Sequence, residues 1–595
     1  MNICHQSHRT LTSILFVCVC SWSTPGEAAR NSTPIVATES PTERVDRVAD
    51  EYLAAVLDMQ PEQAYFVGLA PPRHDGLTDI SPAAIEAWHQ REDAWLAAIG
   101  GVDEGALDGT PEWATLANLR EQLESSIGLR VCHQEWWAGV NQMGAWHTSL
   151  ATIAELQPVI TAIDRQQALR RWERVPHYIR QEISNLRTGL KNGYSTPRPV
   201  AERMLKQIDG LADAPLKDHP YASPAKRSAD AHFSRAYYEI LRAAVIPALR
   251  EYRRFLLTEY VPAARRTLAV TALPYGSECY AALLRANTTL KRAPQEVFDV
   301  GSRVVKRQTE EVRSVGRDVF GIDDFAAIVE RAKSLPDGHY ASGQELLDAS
   351  REMVDRAQHV LGPLFGQLPT QAVIVEPIPP YEDNGGASSH YEEPAASGRP
   401  GIFRISLTHA TTMTRGDAEI TAFHETWPGH HLQLAYAQRI KAAHPVSRLL
   451  ENSGFIEGWA RYAEALAEEA GLYRTVSAKI LRRTWPARGM VVDPGLHALT
   501  WTRDEVVAFV EASGCFPSSE AEEIVDRIAA IPGQLTAYDS GAQVFFELRH
   551  LAETTLGPRF NLPEFHDALL ENGSIPLPLL RAHIQQWIES RGMAR

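Results

Sequence analysis

The chain has 595 residues, 44% of them hydrophobic, which is typical of a large globular protein and excludes a disordered one. Its 59 basic and 74 acidic residues give a formal net charge of −15. Such a charge repels phosphate backbones, so we expect no nucleic-acid binding. Length alone leaves the number of domains open.

The N-terminus has the pattern of a secretory signal peptide, which we place at residues 1–29. A short apolar run, residues 11–22, follows Arg9, and small residues that suit a cleavage site come next. The run is too short to span a bilayer comfortably. We therefore expect a periplasmic or secreted protein with no stable membrane insertion. Lipid attachment through Cys18 or Cys20 ranks second, because the residues before them match lipoprotein cleavage sites poorly.

Three cysteines would remain after signal removal, at Cys132, Cys279 and Cys515. They are far apart in the sequence, and three cysteines make no disulfide framework. No CxxC pair is present either, so a zinc site built from thiolates is not expected.

Helices are predicted from about residue 41 to residue 362. Apolar residues recur there mostly at three- and four-residue spacings, as at Val297, Val300 and Val304, which share one helical face. Pro294, just before them, suits the first turn of a helix. The pattern predicts a mainly α protein.

Two short β-rich runs then interrupt the helical pattern, and they predict strands at residues 372–375 and 402–407. A loop rich in Pro, Gly and Ser separates them. The second run alternates apolar and polar residues, as a half-buried strand beside a substrate cleft does, and a plain structural hairpin is the equal alternative. Helical periodicity returns at Thr414, which with Asp417 resembles a capping box.

The residues with the strongest chemical signal are His-Glu-Thr-Trp-Pro-Gly-His-His at positions 424–431. A zinc hydrolase needs imidazole and carboxylate ligands, an open position for water, and a further carboxylate that accepts the proton of that water. His424 and Glu425 offer the first ligand and the base. The usual HExxH spacing would place the second histidine where this chain has Pro428.

His430 and His431 are the candidates for the second ligand, and neither reaches the ion on an undistorted helix. Pro428 and Gly429 allow the segment to bulge. We predict that His430 binds the metal, because it needs the smaller correction, about 9 Å of helix rise against about 10.5 Å for His431. The opposing case is that His431 lies nearer the face of His424. The ordinary alternative, histidines that interact with helix-end carbonyls, is disfavoured by so dense a cluster.

The third ligand is expected on a nearby helix, where Glu457 and Glu464 lie seven residues apart on one face. Glu457 is the better candidate, because Gly458 leaves room beside it. The competing interpretation is an ordinary i,i+4 pair between Glu457 and Arg461, and the spacing alone does not separate the two.

These motifs resemble those of the bacterial domain of unknown function 885 family, whose members are similar to zincin metallopeptidases. The family's HExxPGHH motif matches residues 424–431, and its Glu-Gly-Trp-Ala run with a following Tyr matches residues 457–462. Further family-like stretches cover most of the mature chain, at residues 273–280, 491–497 and 532–538. The resemblance implies a helical zincin with zinc held by His424, a second histidine and Glu457, and with Glu425 as general base.

Tyr538 and His497 lie in the family-like stretches and are candidates to donate hydrogen bonds to an oxyanion. A buried core role is the alternative for both. Tyr391, in the loop before the second predicted strand, is a weaker candidate for the cleft. Asp539 stands where the family more often has a lysine, which removes support for a cation at that position.

Together these features predict a mainly α, zincin-like catalytic domain over residues 41–595 with a small β element. The expected activity is zinc-dependent hydrolysis of peptide bonds in short exported or periplasmic peptides. A metal-dependent hydrolase of a small non-peptide amide would use the same residues. The alternative from another class is a metal-binding protein without turnover, and Glu425 argues against it because a metal site alone has no use for a base.

Overall fold

The computed structural model describes residues 39–336, 338–378, 389–394, 398–408, 410–440, 444–450 and 452–593. The predicted signal peptide at residues 1–29 lies outside the described residues, as does half of the predicted loop between the two strands. By its internal contacts, Pro41–Arg595 is one compact unit.

Helices dominate the first half of the described chain, which confirms the prediction of a mainly α protein. They are α1 (Pro41–Met59), α2 (Gln63–Phe66), α3 (Pro82–Ile99), α4 (Pro111–Leu129), α5 (Trp146–Leu156), α6 (Ala162–Lys191), α7 (Arg198–Asp213), α8 (Ser223–Arg227), α9 (Ala231–Ile240), α10 (Ile246–Phe255), α11 (Val261–Ala263), α12 (Gly276–Thr288), α13 (Pro294–Phe320), α14 (Phe325–Lys333) and α15 (Gly343–Val360). Pro294 begins α13, and Val297 and Val304 are buried along it as the periodicity predicted.

The second half contributes the helices that carry the predicted site. They are α16 (Arg415–Glu425), α17 (His430–Ala437), α18 (Ser453–Glu469), α19 (Val476–Leu481), α20 (Gly489–His497), α21 (Arg503–Glu511), α22 (Ser518–Ala530), α23 (Leu535–Leu556), α24 (Leu562–Leu570) and α25 (Leu577–Met593). The predicted cap at the start of α16 is present, since the Thr414 hydroxyl accepts a hydrogen bond of 3.0 Å from the Asp417 backbone N–H.

A single sheet is found in the described residues, formed by β1 (Val373–Pro377), β2 (His390–Glu392) and β3 (Gly401–Ile405) in the order β1-β3-β2. The two predicted strands pair in parallel, with Ile374 opposite Ile402, so they do not form a hairpin. β2 comes from the predicted loop and pairs antiparallel with β3, with Tyr391 opposite Phe403.

β3 is the central strand, and this overturns the expectation that it is half-buried. Every residue of β3 except Arg404 is buried. Arg404 extends its guanidinium to Glu376 on β1 at 2.6 Å and to Glu392 on β2 at 2.7 Å. The polar position in the alternating pattern therefore carries an ion-pair network across three strands.

The largest hydrophobic core joins this sheet to the helices of the second half. Phe403 of β3, Phe423 of α16, Trp459 of α18 and Phe545 of α23 all belong to it and are at most 1% exposed. Because close-packed interiors are only slightly compressible, this core fixes the positions of α16 and α18 beside the sheet. A second core is formed by helices between residues 140 and 264.

α18 and α23 cross in direct backbone contact. A Cβ atom at Gly458 would lie 2.5 Å from the Gly541 Cα, and one at Gly541 would lie 1.8 Å from the Gly454 carbonyl oxygen. The absence of a side chain at Gly458 therefore serves the helix crossing, and not the free space beside Glu457 that the sequence suggested.

Cys132 and Cys279 form a disulfide bond, which corrects the expectation of unpaired cysteines. The two residues are 147 positions apart, and the bond joins the end of the α4 segment to α12. Such a distance in sequence says nothing about distance in space, so spacing alone missed the pair. Cys515 is a free thiol. Among the described helices none is long and apolar enough to cross a membrane.

Candidate metal centre

The histidine segment breaks between two helices. α16 ends at Glu425, the Trp427–Pro428 peptide bond is cis, and α17 begins at His430. The Gly429 backbone N–H donates back to the Phe423 carbonyl oxygen at 3.1 Å, so the chain turns tightly against the end of α16. The distortion that the sequence required is therefore a break between helices and not a bulge within one.

Gly429 is required for this turn. A Cβ atom at Gly429 would lie 1.9 Å from the carbonyl oxygen of His424, closer than any real contact. Because the backbone passes so near, the next residue is returned to the end of α16. The His424 and His430 rings then lie 4.8 Å apart between centroids, at an interplanar angle of 88°.

His424, His430 and Glu457 converge on one point. Glu457 Oε2 lies 3.7 Å from Nε2 of His424 and 3.5 Å from Nε2 of His430. Zinc bonds of about 2.0–2.1 Å at tetrahedral angles would place ligand atoms about 3.3 Å apart. The three side chains therefore fit a metal ion, and they are the group that could hold one within the part of the chain described here.

The buried polar atoms of this group support the fit. Glu457 Oε2 is buried and makes no hydrogen bond to any described residue. A buried carboxylate oxygen without a partner is costly, and a cation between the two imidazoles would satisfy it.

The charges of the ligand set are strongly coupled. Burial disfavours the ionised form of Glu457, but the nearby imidazoles of His424 and His430 favour it more strongly and hold the pKa of the carboxyl well below its usual range. Burial would likewise lower the pKa of His424, but Glu457 and Glu464 raise it to about 10. A cation bound by these side chains would compete with protons for the same nitrogen and oxygen atoms.

Glu464 orients His424 from the side opposite Glu457. The imidazole Nδ1–H donates to Glu464 Oε1 at 2.9 Å, and Arg461 Nη1 donates to both carboxylate oxygens at 2.8 and 3.1 Å. This arrangement leaves His424 Nε2 as the nitrogen that faces Glu457. Arg461 pairs with Glu464, so the alternative of an ordinary Glu457–Arg461 pair is wrong.

His431 contacts residues in and beside the sheet and does not belong to the converging group. Its Nδ1 accepts a hydrogen bond of 2.7 Å from the Tyr391 hydroxyl, and its Nε2 donates to the Gln371 carbonyl oxygen at 3.0 Å. Burial lowers the pKa of His431 to about 4, so the ring is neutral. Both nitrogens are occupied, and neither His431 nor Tyr391 is placed to contact a metal.

Glu425 stands at the end of α16 beside the ligand histidines. Burial raises the pKa of its carboxyl, while the nearby His430 and His424 act in the opposite direction. The described residues offer its carboxylate no hydrogen bond or ion pair, and the side chain is only partly buried. It is therefore free to exchange a proton.

Tyr538 of α23 also borders the metal centre. Its ring lies 6.3 Å from the His424 ring between centroids, at an angle of 26°. Its hydroxyl accepts hydrogen bonds from Arg527 at 3.3 Å and from Gln534 at 3.5 Å. The hydroxyl proton is not used by these two bonds, so it stays available for a substrate.

His497 has no place in the centre. It is 1% exposed, its Nδ1 accepts from the Val270 backbone N–H at 3.0 Å, and its Nε2 donates to the Ile528 carbonyl oxygen at 3.0 Å. Its one donor is thus committed to the backbone. The expectation that His497 stabilises an oxyanion is corrected: it ties α20 to two neighbouring segments.

Two contacts near the centre were missed by the sequence analysis. The Trp459 indole N–H donates to the Pro428 carbonyl oxygen at 3.0 Å and ties α18 to the break between the histidine helices. Arg461 holds Glu464, and their i,i+3 spacing was a readable signal. The partner of Trp459 left no such signal, because the two residues come from separate segments.

Comparison with known proteins finds a bacterial family and solved bacterial structures that are similar to this chain. The family described as Bacterial protein of unknown function (DUF885) matches residues 61–584. The crystal structure of a "putative lipoprotein" from Colwellia psychrerythraea is similar over 93% of this chain and 100% of that chain, with a TM-score of 0.85 and 20% sequence identity. A "putative lipoprotein of unknown function" from Shewanella oneidensis is similar over 91% and 99%, with a TM-score of 0.71 and 17% identity. No curated protein matches.

Proposed function

The chain belongs to the family Bacterial protein of unknown function (DUF885), and from this premise we propose that it is a zincin-like, zinc-dependent peptidase that hydrolyses short exported peptides. The observation that carries the proposal is the convergence of His424, His430 and Glu457, with the free carboxylate of Glu425 beside them. Two imidazoles and one carboxylate suit zinc and leave a fourth position for water, as in catalytic zinc sites.

Bound zinc would supply a Lewis acid that polarises a carbonyl group and makes water more acidic. The residues of the chain do the remaining work. Glu425 accepts a proton from the attacking water and returns it to the leaving amine. Glu464 keeps the Nε2 atom of His424 directed at the metal position. The Tyr538 hydroxyl donates a hydrogen bond to the oxyanion that develops on the carbonyl oxygen.

The sheet favours a peptide over a small non-peptide amide as substrate. β2 is an outer strand of the sheet in the described residues, and outer strands pair readily with an extended peptide. His390, at the start of β2, lies close enough to Glu425 to influence the pKa of that carboxyl. A peptide paired along β2 would therefore pass beside the proposed base.

Export to the periplasm or the medium belongs to the same proposal. It is supported by the predicted signal peptide and by the disulfide between Cys132 and Cys279, which suits an oxidising compartment. The mature N-terminus, determined by mass spectrometry after cell fractionation, tests it. Cleavage near residue 29 supports a free protein, a lipid-modified Cys18 or Cys20 supports an anchored one, and an intact cytoplasmic chain contradicts export.

The decisive experiment measures metal content and peptide hydrolysis on the same purified protein. We expect one zinc per chain by mass spectrometry of the metal, cleavage of a peptide library, loss of cleavage after chelation, and recovery with one equivalent of zinc. Cleavage that survives complete metal removal contradicts the mechanism. If the zinc-loaded protein cuts no peptide but hydrolyses small amides, the alternative is correct, and the same centre acts on small non-peptide amides.

A further inference from the structure

We propose that Arg527 binds a carboxylate group of the substrate, so that the enzyme prefers peptides with a carboxylate close to the scissile bond. This inference rests on the proposed function, because it names the substrate class that the same centre would accept. It is carried by the position of Arg527, by its lack of an acidic partner, and by the contrast with the arginines around it.

Arg527 contacts Tyr538, and Tyr538 borders the candidate metal centre. Its Nη2 atom donates to the Tyr538 hydroxyl at 3.3 Å and to the Gln534 side-chain oxygen at 2.8 Å. Tyr538 in turn faces the ring of His424. Arg527, Gln534 and Tyr538 contact one another, and all three residues are only partly buried.

The charge of Arg527 is not matched by the described part of the chain. Its two side-chain partners are neutral, no described carboxylate forms an ion pair with it, and its Nε atom is buried without a hydrogen bond. The adjacent Asp526 is turned away, towards Arg203 and Arg503. Arg527 Nη1 makes no hydrogen bond to a described residue and is not buried, so it is the donor group that can bind an anion from outside the protein.

The neighbouring arginines show what a structural arginine looks like in this region. Arg503 pairs with Asp526 at 2.6 Å, and Arg461, on the other side of Tyr538, pairs with Glu464 at 2.8 Å. Arg527 lacks such a pair, although its hydrogen-bond partner Tyr538 faces the ring of His424. The planar guanidinium has the fork geometry that matches a carboxylate with two parallel hydrogen bonds.

A carboxylate in this position has two sources in a peptide, namely the C-terminus and an acidic side chain. Three peptides separate them: acetyl-tetra-alanine as the free acid, the same peptide as the amide, and the amide with one alanine replaced by glutamate. Binding is measured by calorimetry to the zinc-loaded Glu425→Gln variant, which leaves the peptides uncleaved. The matched control is Arg503→Gln, which removes a nearby arginine that already has its acidic partner.

We expect a carboxylate-bearing peptide to bind about tenfold to hundredfold more tightly than the neutral amide, the range of a charge-assisted hydrogen bond. Arg527→Gln should abolish this preference, Arg527→Lys should retain part of it, and Arg503→Gln should leave it unchanged. Preference for the free acid assigns the C-terminus, and preference for the glutamate peptide assigns an acidic side chain.

Equal or undetectable binding of the three peptides overturns the inference, as does an Arg527→Gln variant that weakens acid and amide alike. The readout is binding and not turnover. A carboxylate preference that depends on Arg527 in a protein that never cleaves peptides would therefore sink the proposed function and leave the binding site standing.

Discussion

Two clusters of buried polar residues differ in how completely their polar atoms are hydrogen-bonded, and this difference distinguishes a candidate site from a structural core. Around His497, the Asp493 carboxylate accepts from the Tyr280 hydroxyl at 2.6 Å and from the Gly533 backbone N–H at 3.0 Å, and both His497 nitrogens are bonded to backbone. Around His424, the Glu457 Oε2 atom and His430 Nδ1 are buried without hydrogen bonds.

Both clusters lie in stretches of sequence that resemble the family, although the signal at residues 424–431 is the stronger one. The two clusters differ in their hydrogen bonds. The polar side-chain atoms of His497 and Asp493 all have hydrogen-bond partners, whereas Glu457 Oε2, where the ligand atoms converge, has none. A cluster of histidine and carboxylate side chains is therefore not enough to define a site. Variants of the two clusters should differ in their effects on zinc content, activity and stability.

The largest effect is expected for Glu425→Gln. The amide keeps the shape of the side chain but cannot accept the proton, so peptide turnover should fall by about 10²- to 10⁴-fold, the usual contribution of a general base. Zinc content should stay at the wild-type value, which controls for loss of the site. Wild-type rates in this variant, measured with a peptide substrate, would remove Glu425 from the mechanism.

The adjacent histidines give a matched pair of variants. His430→Ala removes one of three protein ligands, so zinc should be lost on dialysis. His431→Ala should retain zinc with reduced activity, because His431 only links Tyr391 to the Gln371 carbonyl. Metal analysis of both variants decides, and the reverse pattern would show that the wrong histidine was chosen.

The two glutamates of α18, Glu457 and Glu464, allow the same comparison between a metal ligand and a residue that does not bind the metal, with smaller expected effects. Glu457→Ala should lower zinc content as a lost ligand does. Glu464→Gln keeps all three ligands but weakens the orientation of His424, so zinc affinity should fall by about 10- to 100-fold. Competition with a chelator of known affinity measures both, and equal losses in the two variants would contradict the distinction between ligand and orienting residue.

The cluster around Asp493 should affect stability and leave activity unchanged. Burial raises the pKa of Asp493 to about 7, although hydrogen bonds from Tyr280 and Gly533 act against it. A folded-state pKa above the unfolded value means that its stabilising contribution is complete below about pH 4 and is lost as the pH rises towards 7. Asp493→Asn removes this loss.

The free energy of unfolding of Asp493→Asn relative to the wild type should therefore rise between pH 5 and pH 8, by about 2 to 4 kcal/mol. Urea unfolding at the two pH values measures it, and zinc content and turnover serve as controls. A difference that does not change with pH would mean that Asp493 is not held with a raised pKa.

Local patterns predicted much of the fold. Periodicity predicted α13, the Thr414 cap predicted the start of α16, and β-rich runs predicted β1 and β3. The parallel pairing of β1 with β3 was not predictable, because it depends on a third strand from the loop and on the core beneath it.

The residues of the candidate site were also predicted in part from local patterns. The Pro428-Gly429 interruption signalled that a later histidine returns to His424, and the structure brings His430 there. Which polar atoms stay unsatisfied could not be read from sequence. His497 is closed off by backbone groups of Val270 and Ile528, which are distant in the chain and have no residue-specific signature.

The disulfide between Cys132 and Cys279 turns part of the chain into a covalent ring. The buried residues of the second core, from Val140 to Ala264, all lie within that ring. A protease outside the cell that cuts a loop between the two cysteines would nick the protein without releasing a fragment. Closing a ring of this length also removes unfolded-state entropy worth about 5 kcal/mol, so the helices between residues 140 and 264 are held to the rest of the protein by a covalent bond as well as by packing.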